Sequence, residues 1–371
     1  MIEKFRRITN SKKLMPEVDG LRFLAILPVM LMHANTTINK LINSNNPKIS
    51  NLVNEIIGTG EAGVLIFFSI SGFILALPFL KYTNGESAVS LKSYFMRRLT
   101  RLEPTYIIVM LIMFGTHLIL KTVEIDNLLA HFFVSLFYCH SIVYGYGSIL
   151  NPVTWSLEVE IQFYILLPFL IYLISILNFG SRFFFYISIL FIFPFLINFL
   201  PLKIYHLDSS ILHFIQYFFS GIFVADCYLN LKLRGDLMII DLLGVLSIFG
   251  IFFIEYLGGE KTLMPIALIF SFWAVLKGKV LKSLFSIPII SIIGGMCYTL
   301  YLLHYPLFYL FIKLGFYLPI ENDVMFSIFN ILILTVLAIV VCSIAFLIIE
   351  KPFMDKGWPK KLICIFKNEK L

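Results

Sequence analysis

Ten apolar runs, each close to the length that spans a lipid bilayer, recur along this chain and decide what it can fold into. They cover residues 21–38, 62–80, 104–120, 154–177, 183–200, 209–229, 237–256, 261–277, 287–312 and 324–349. A helix needs about 20 mostly apolar residues to cross the hydrocarbon core. The expected fold is therefore all-α, a polytopic membrane helix bundle of about ten transmembrane helices. Composition points the same way: 59% of the residues are hydrophobic and 14% charged, where a soluble domain carries about 25% charged residues. A soluble enzyme, a secreted disulfide scaffold and a disordered chain are excluded. The first run follows Lys4, Arg6, Arg7, Lys12 and Lys13, as the core of a signal peptide would, but it lacks a small-residue cleavage site and carries Arg22 and His33. It reads as an uncleaved first span.

The formal charge of +7 is a topology signal, because lysine and arginine concentrate on the cytoplasmic side of membrane proteins. With the N-terminus inside, the cytoplasmic segments hold 22 basic residues and the outside segments six, namely Lys40, Lys48, Lys121, Lys203, Lys261 and Lys313. Ten spans then place both termini in the cytoplasm, and no nucleic-acid partner is expected. The chain divides into a basic N-terminal segment (1–20), an integral membrane domain (21–350) and a basic tail (351–371) at the anionic inner leaflet. Segment 121–153, expected outside, is too apolar for a linker and reads as a partly re-entrant stretch or the cap of a cavity. Five scattered cysteines, Cys139, Cys227, Cys297, Cys342 and Cys364, show no CxxC and no metal-ligand spacing. They read as apolar thiols, with no metal site expected.

Ionisable residues inside spans are costly and usually face a cavity. Arg22 and His33 lie eleven residues apart, which is three helical turns plus roughly 20°, so they share a face across about 16.5 Å of rise. Snorkelling of Arg22 and simple packing of His33 are the structural alternative. Ser69, Ser71 and Gly72 in the second span suit close helix packing. Arg97, Arg98 and Arg101 precede Pro104, and with the N-terminus of a span opened there they form an anion-attracting corner. Positive-inside bias would supply basic residues too, but not the preference for arginine, the better bidentate phosphate ligand.

The fourth span opens Trp155-Ser156-Leu157-Glu158-Val159-Glu160-Ile161-Gln162. Glu158 and Glu160 point about 200° apart, so one can face a cavity while the other must be buried and paired. The ninth holds Tyr298, Tyr301 and His304-Tyr305-Pro306, read as a proline-broken helix with a histidine near mid-depth or as an aromatic core. Glu350-Lys351 suits a headgroup-level ion pair, and Asp226, Glu255 and His117 suit structural roles near span ends.

Taken together, and in this order, these segments resemble the acyltransferase-3 family of integral membrane acyltransferases, from Asp19 to Pro352. The Arg22-x10-His33 span is similar to the family signature in which arginine and histidine are needed for acyl transfer. Phe67-Phe68-Ser69-Ile70-Ser71-Gly72-Phe73 resembles the second-span motif. Arg97-Arg98 with Arg101, Pro104 and Tyr106 resembles the basic motif before the third span. Trp155-Ser156-Leu157 through Gln162-Phe163-Tyr164 resembles the tryptophan-serine-leucine segment, its usual glutamate falling on Glu160. Tyr298 through His304-Tyr305-Pro306-Leu307 resembles the late tyrosine-leucine-histidine-proline motif. Leu65 stands where many members carry an acid or amide, and Glu158 where a small residue is common. The resemblance is to the form without an appended esterase-like domain.

The resemblance implies an O-acyltransferase in a bacterial cytoplasmic (inner) membrane. It would use cytoplasmic acyl-CoA, most often acetyl-CoA, as co-substrate, with no permanently bound cofactor. The acceptor would be a hydroxyl outside the cytoplasm on a carbohydrate such as lipopolysaccharide O-antigen, capsule or exopolysaccharide. It assigns His33, Glu160 and Arg22 to catalysis and Arg22, Arg97, Arg98, Arg101 and Tyr106 to acyl-CoA. Asp19, Ser71, Trp155, Ser156, Glu158, Tyr164, Tyr298 and His304 take supporting places. On this reading His33 is a general base or an acyl carrier, and Glu160, if near, orients it. A small-molecule or lipid acceptor, a glycan transporter or flippase, and a non-catalytic assembly or sensor subunit are the rival classes. No inverted repeat of the transporter kind is visible.

Overall fold

The computed structural model describes residues 2–8, 14–41, 51–83, 89–121, 123–197, 199–200, 206–231, 238–258, 262–355 and 357–358. Most of the basic tail, Lys12, Lys13, Lys48, Lys203, Lys261 and Cys364 lie outside the described residues. Within them the chain is helical, with no strand. The principal helices are α1 (Pro16–Leu41), α2 (Ala62–Thr83), α3 (Leu91–Leu120), α4 (Ile125–Leu136), α5 (Trp155–Ile176), α6 (Gly180–Ile197) and α7 (Ile211–Asn230). They continue with α8 (Met238–Tyr256), α9 (Met264–Lys277), α10 (Pro288–Gly295), α11 (Cys297–Lys313) and α12 (Asp323–Ala345). Proline opens α1 where its missing N–H costs nothing, and Glu17 and Asp19 in the first turn suit the positive end of the helix dipole.

Among the described residues, eight helices are long and apolar enough to cross a membrane, and nine if the bent pair α10–α11 is one span. The sequence led us to expect ten. The difference is run 261–277, which folds as the 14-residue α9. At 1.5 Å per residue that is about 21 Å, short of the roughly 30 Å hydrocarbon core. It packs between α7 and α8 with Ala267, Leu268, Phe272 and Val275 buried. The Asp241 carboxylate near the start of α8 accepts from the Lys279, Val280 and Leu281 amides just past its end, so this short helix returns the chain to the side from which α8 set out.

Two expectations about proline are corrected. Pro104 does not open the third span; the helix starts at Leu91, where Ser90 Oγ accepts from the Ser93 amide. The arginines therefore sit on a helix body, with no free helix N-terminus beside them. Nor does Pro306 break the ninth run. The chain bends by 72° between α10 and α11, after Gly294-Gly295, and α11 runs straight through Pro306. Paired glycines hold a helix poorly.

Helices survive interior prolines here because distant side chains replace the missing donors. Proline removes the N–H that would bond the carbonyl four residues earlier. Behind Pro104 that carbonyl is Thr100, which accepts from Trp358 Nε1 at 3.0 Å. Behind Pro168 it is Tyr164, which accepts from the Tyr94 hydroxyl at 3.1 Å. Behind Pro306 it is Leu302, which accepts from Asn151 Nδ2 at 2.8 Å. Bare carbonyls in lipid cost several kcal/mol each, so each of these three prolines ties its helix to another part of the chain.

Helices α2 and α7 meet backbone to backbone. A Cβ on Gly221 would fall on the Ser69 carbonyl, and one on Gly72 on the Phe218 carbonyl. Ser220 Oγ donates to Ser69 Oγ at 2.9 Å across the same seam. This is the packing role expected of the small residues in the second span. Segment 123–154 lies against the bundle through α4, where Leu128, Phe132 and Tyr138 join Tyr106, Leu157 and Leu302 in one apolar cluster.

Candidate active site

Five helices, α1, α2, α3, α5 and α11, enclose a cavity of about 290 Å³. Arg22, Arg97, Arg98 and Arg101 reach it from α1 and α3, Ser71 from α2, Glu160 and Tyr164 from α5, and Tyr298 and Tyr301 from α11. These charged and polar groups come from positions up to 279 residues apart in sequence, and a shared cavity is what ionisable groups within a membrane bundle demand.

The arginines are held differently. Arg22 pairs with Asp19, which also accepts from Arg7 Nε at 2.9 Å. Burial, with Arg22 close by, brings the Arg7 guanidinium down to about 10. Arg101 lies 3.8 Å from Glu350, whose other oxygen accepts from the Thr299 hydroxyl at 2.6 Å and amide at 3.1 Å. Glu350 is thus fully buried beside the cavity, a correction to the headgroup-level ion pair expected of it; Lys351 donates instead to the Lys4 carbonyl. Arg98 stacks 3.7 Å over the Tyr94 ring and donates to the Tyr94 carbonyl at 2.7 Å. Among the described residues, Arg98 Nε and Arg101 Nε are buried with no hydrogen-bond partner. Unmet guanidinium donors beside a cavity suit an anion, since a charged acceptor makes the stronger hydrogen bond.

Glu160 Oε1 accepts from the Ser71 hydroxyl at 2.5 Å and the Tyr164 hydroxyl at 2.6 Å. Glu158 turns away, as the 200° between them requires. It is fully buried and accepts from the Ser141 amide at 2.8 Å. Ser156 Oγ and the Tyr301 hydroxyl lie 2.8 Å apart, and the Tyr298 hydroxyl donates to the Leu102 carbonyl at 3.0 Å. These bonds tie α5, α11 and α3 together around the cavity.

His33 does not line the cavity, and its ring meets His304 rather than Glu160. Its Nδ1 lies 2.8 Å from Nε2 of His304, with the rings stacked at 5.1 Å and the Tyr305 ring edge-on at 5.4 Å. His304 is fully buried and its Nδ1 contacts the Leu300 carbonyl at 2.8 Å. One helical turn separates His304 from Tyr301, which does line the cavity. Arg22 thus lines the cavity from α1, while His33, eleven residues further along the same helix, lies beyond its lining.

Two assigned residues fall elsewhere. Tyr106 is fully buried in the apolar cluster with Leu128, Phe132 and Leu157, stacked on Tyr138 at 4.7 Å and donating to the Ser135 carbonyl at 2.8 Å. Eight residues beyond Arg98, it stands about 12 Å further along the helix and does not reach the arginine corner. Trp155 packs on Phe214 at 5.4 Å and lines a second cavity of about 240 Å³ with Glu61, His213, Tyr217 and Glu255. Tyr301 and Asn151 carry more than the sequence reading gave them. Tyr301 lies three residues from both Tyr298 and His304, a same-face spacing that marks it; nothing local marks Asn151 as the partner of Leu302.

In the segment expected to cap the bundle, His131 Nδ1 lies 2.7 Å from His140 Nε2, and His140 Nδ1 lies 3.0 Å from the Tyr146 carbonyl. Burial lowers both imidazoles from their ordinary value. Among the described residues no three His, Cys, Asp or Glu side chains group as metal ligands.

Comparison with known proteins agrees with the geometry. The acyltransferase-3 family model, described as an acyltransferase domain, matches residues 15–350. The O-acetyltransferase OatA of Staphylococcus aureus strain NCTC 8325 is 26% identical over 95% of this chain and 60% of its own length. A protein of S. aureus strain MSSA476 with a provisional O-acetyltransferase name is 26% identical over 96% of this chain and 60% of its own. The peptidoglycan O-acetyltransferase OatA of Listeria monocytogenes is 30% identical over 44% of this chain and 25% of its own. The chain therefore spans about three fifths of the length of the full-length relatives it matches. No solved structure matches it.

Proposed function

This chain belongs to the acyltransferase-3 family, and on that premise we propose that it moves an acyl group, acetyl by preference, from cytoplasmic acyl-CoA to a hydroxyl of a cell-envelope glycan. The observation that carries the proposal is the cavity that joins four arginines to Glu160 and Tyr301, one helical turn short of His304 and its partner His33. Phosphates of the CoA head suit the guanidinium groups of Arg98 and Arg101 that line the cavity, with Arg97 exposed at the rim and Arg22 beyond. The acyl arm would run past Ser71, Glu160 and Tyr301. The rise of about 16.5 Å between Arg22 and His33 matches an extended arm. The excess of basic residues on the arginine side supports a cytoplasmic mouth and cytoplasmic termini, in a multi-pass bacterial inner membrane.

In this reaction His33 Nε2 takes the proton of the acceptor hydroxyl as its oxygen bonds the thioester carbon. The carbon–sulfur bond breaks, the CoA thiolate leaves, and the proton passes from His33 to sulfur. Peptidoglycan, named in the Listeria relative, stands beside surface polysaccharides as an acceptor class. The second cavity, where Trp155 meets Glu61, His213 and Glu255, lies toward the end of α2 and α5 remote from Arg97 and Arg98, and supports acceptor entry from the opposite side. The test is proton NMR of acetyl esters in isolated envelope glycans from cells with the intact chain, with His33→Ala and without the gene. Ester present only with the intact chain supports the proposal and identifies the hydroxyl. Ester unchanged in all three overturns the glycan reading.

A further inference from the structure

We infer that His304 fixes the tautomer of His33, so that His33 offers an unprotonated Nε2 to the acceptor hydroxyl. The hydrogen bonds have a single polarity. A carbonyl oxygen only accepts, so the 2.8 Å contact of His304 Nδ1 with the Leu300 carbonyl puts a proton on that nitrogen. In a neutral imidazole the other nitrogen is then a bare acceptor. His304 Nε2 therefore accepts the 2.8 Å bond from His33 Nδ1, and the lone pair of the His33 ring is left on Nε2.

The arrangement is held from several sides. The two imidazole planes lie within 26° of each other along the hydrogen bond and Tyr305 closes on His33 edge-on, which restricts rotation of the ring. His304 itself is fully buried, and four residues before Pro306 its helix is anchored by Asn151 on the Leu302 carbonyl. His304 touches neither substrate in this account; it is a positioning residue that acts through His33.

The inference rests on His33 as general base. As the hydroxyl oxygen bonds the thioester carbon, its proton moves to His33 Nε2 and the ring becomes an imidazolium. Its Nδ1–H still points at the lone pair of His304, which steadies the new charge. A carboxylate does this in other histidine-dependent acyl transfers. When the thiolate leaves, the same proton goes to sulfur and the pair returns to its starting state. A His33 in the other tautomer presents N–H to the hydroxyl and cannot take its proton.

Two variants and one spectrum test this in the full chain, purified and held in lipid nanodiscs. His304→Leu removes the acceptor, whereas His304→Gln keeps a carbonyl oxygen near the place of Nε2. With acetyl-CoA as donor, kcat falls about 100-fold in the leucine variant, the scale of general-base catalysis, while KM for acetyl-CoA holds. The glutamine variant recovers most of that loss. In histidine-labelled protein without acyl-CoA, nitrogen NMR finds His33 Nε2 unprotonated and a coupling across the hydrogen bond between His33 Nδ1 and His304 Nε2. The similar His131–His140 coupling is separated by its loss in His131→Phe. A protonated His33 Nε2, or equal losses in two folded variants, overturns the inference. The spectrum needs no turnover: the expected tautomer in a chain that transfers nothing would sustain this inference while sinking the acyltransferase reading.

Discussion

Asn151 Nδ2 donates to the carbonyl of Leu302 at 2.8 Å, the carbonyl that Pro306 leaves without a backbone partner. One amide from segment 123–154 thereby stands in for an N–H inside α11 and holds the turn that carries His304. Packing alone does not explain this bond, because any apolar residue could fill the volume. What selects asparagine is a donor of the right reach, in a place where an unmet carbonyl is expensive.

Removing that donor should therefore be costly only while the proline is present. Asn151→Ala should destabilise the protein by about 1–3 kcal/mol, the cost of a buried unmet polar group. In a Pro306→Ala background the backbone N–H returns to Leu302, and the same substitution should cost at least about 1 kcal/mol less, a coupling typical of residues sharing a partner. Unfolding titrations of the four proteins in mixed micelles measure both. Equal costs in the two backgrounds would show that Asn151 acts by packing alone.

How far all this could be read in advance depended on the kind of interaction. Arg22, Arg97, Arg98, Arg101, Ser71 and Glu160 were brought together in the sequence by the family resemblance, and they do line one cavity. Partners were not legible. Helical spacing tells which face a side chain occupies, not what lies opposite, so it could not single out His304, 271 residues away, as the partner of the His33 ring. Prolines misled for the same reason: Trp358, Tyr94 and Asn151 supply the missing donors from remote segments. Tyr106 shares a motif with the arginines but turns into the apolar cluster with Tyr138, since rise along the helix outweighs nearness in sequence.

At the arginine corner, charge alone should not suffice. Arg98 lies flat on Tyr94, a contact that a planar guanidinium makes and a compact ammonium makes less well. Arg98→Lys should raise KM for acetyl-CoA nearly as much as Arg98→Ala, about tenfold or 1.4 kcal/mol, with little change in kcat. Steady-state kinetics at low and moderate salt would check this. Full recovery by lysine would mean that Arg98 serves as a bare positive charge.

The α2–α7 seam should discriminate sharply between glycines. Gly221→Ala drives a methyl into the Ser69 carbonyl, and overpacking of this kind costs about 1–3 kcal/mol. A methyl added to Gly250 in α8 would meet nothing within 4 Å, so Gly250→Ala should stabilise by about 0.5–1 kcal/mol through helix propensity. Thermal unfolding of both variants would show opposite shifts. A harmless Gly221→Ala would mean that the two helices can part without loss.

Acid should loosen the segment that carries the second imidazole pair. Burial holds His131 and His140 below the ordinary histidine value of 6.5. As pH falls through that value the unfolded segment binds protons before the folded one does, so stability drops from about pH 6.5 downward and is unaffected above it. The imidazoles face each other and the rings of Tyr144 and Tyr146, and the Glu158 carboxylate holds the adjoining Ser141 amide. Hydrogen exchange across residues 138–146 should therefore quicken, after correction for intrinsic rates, between pH 7.5 and 5.5. His131→Phe keeps an aromatic ring against Tyr144 and removes one titrating group, so the acid effect should shrink in that variant. Protection that is independent of pH, or an acid effect unchanged in His131→Phe, would show that the pair does not govern how tightly this segment is held.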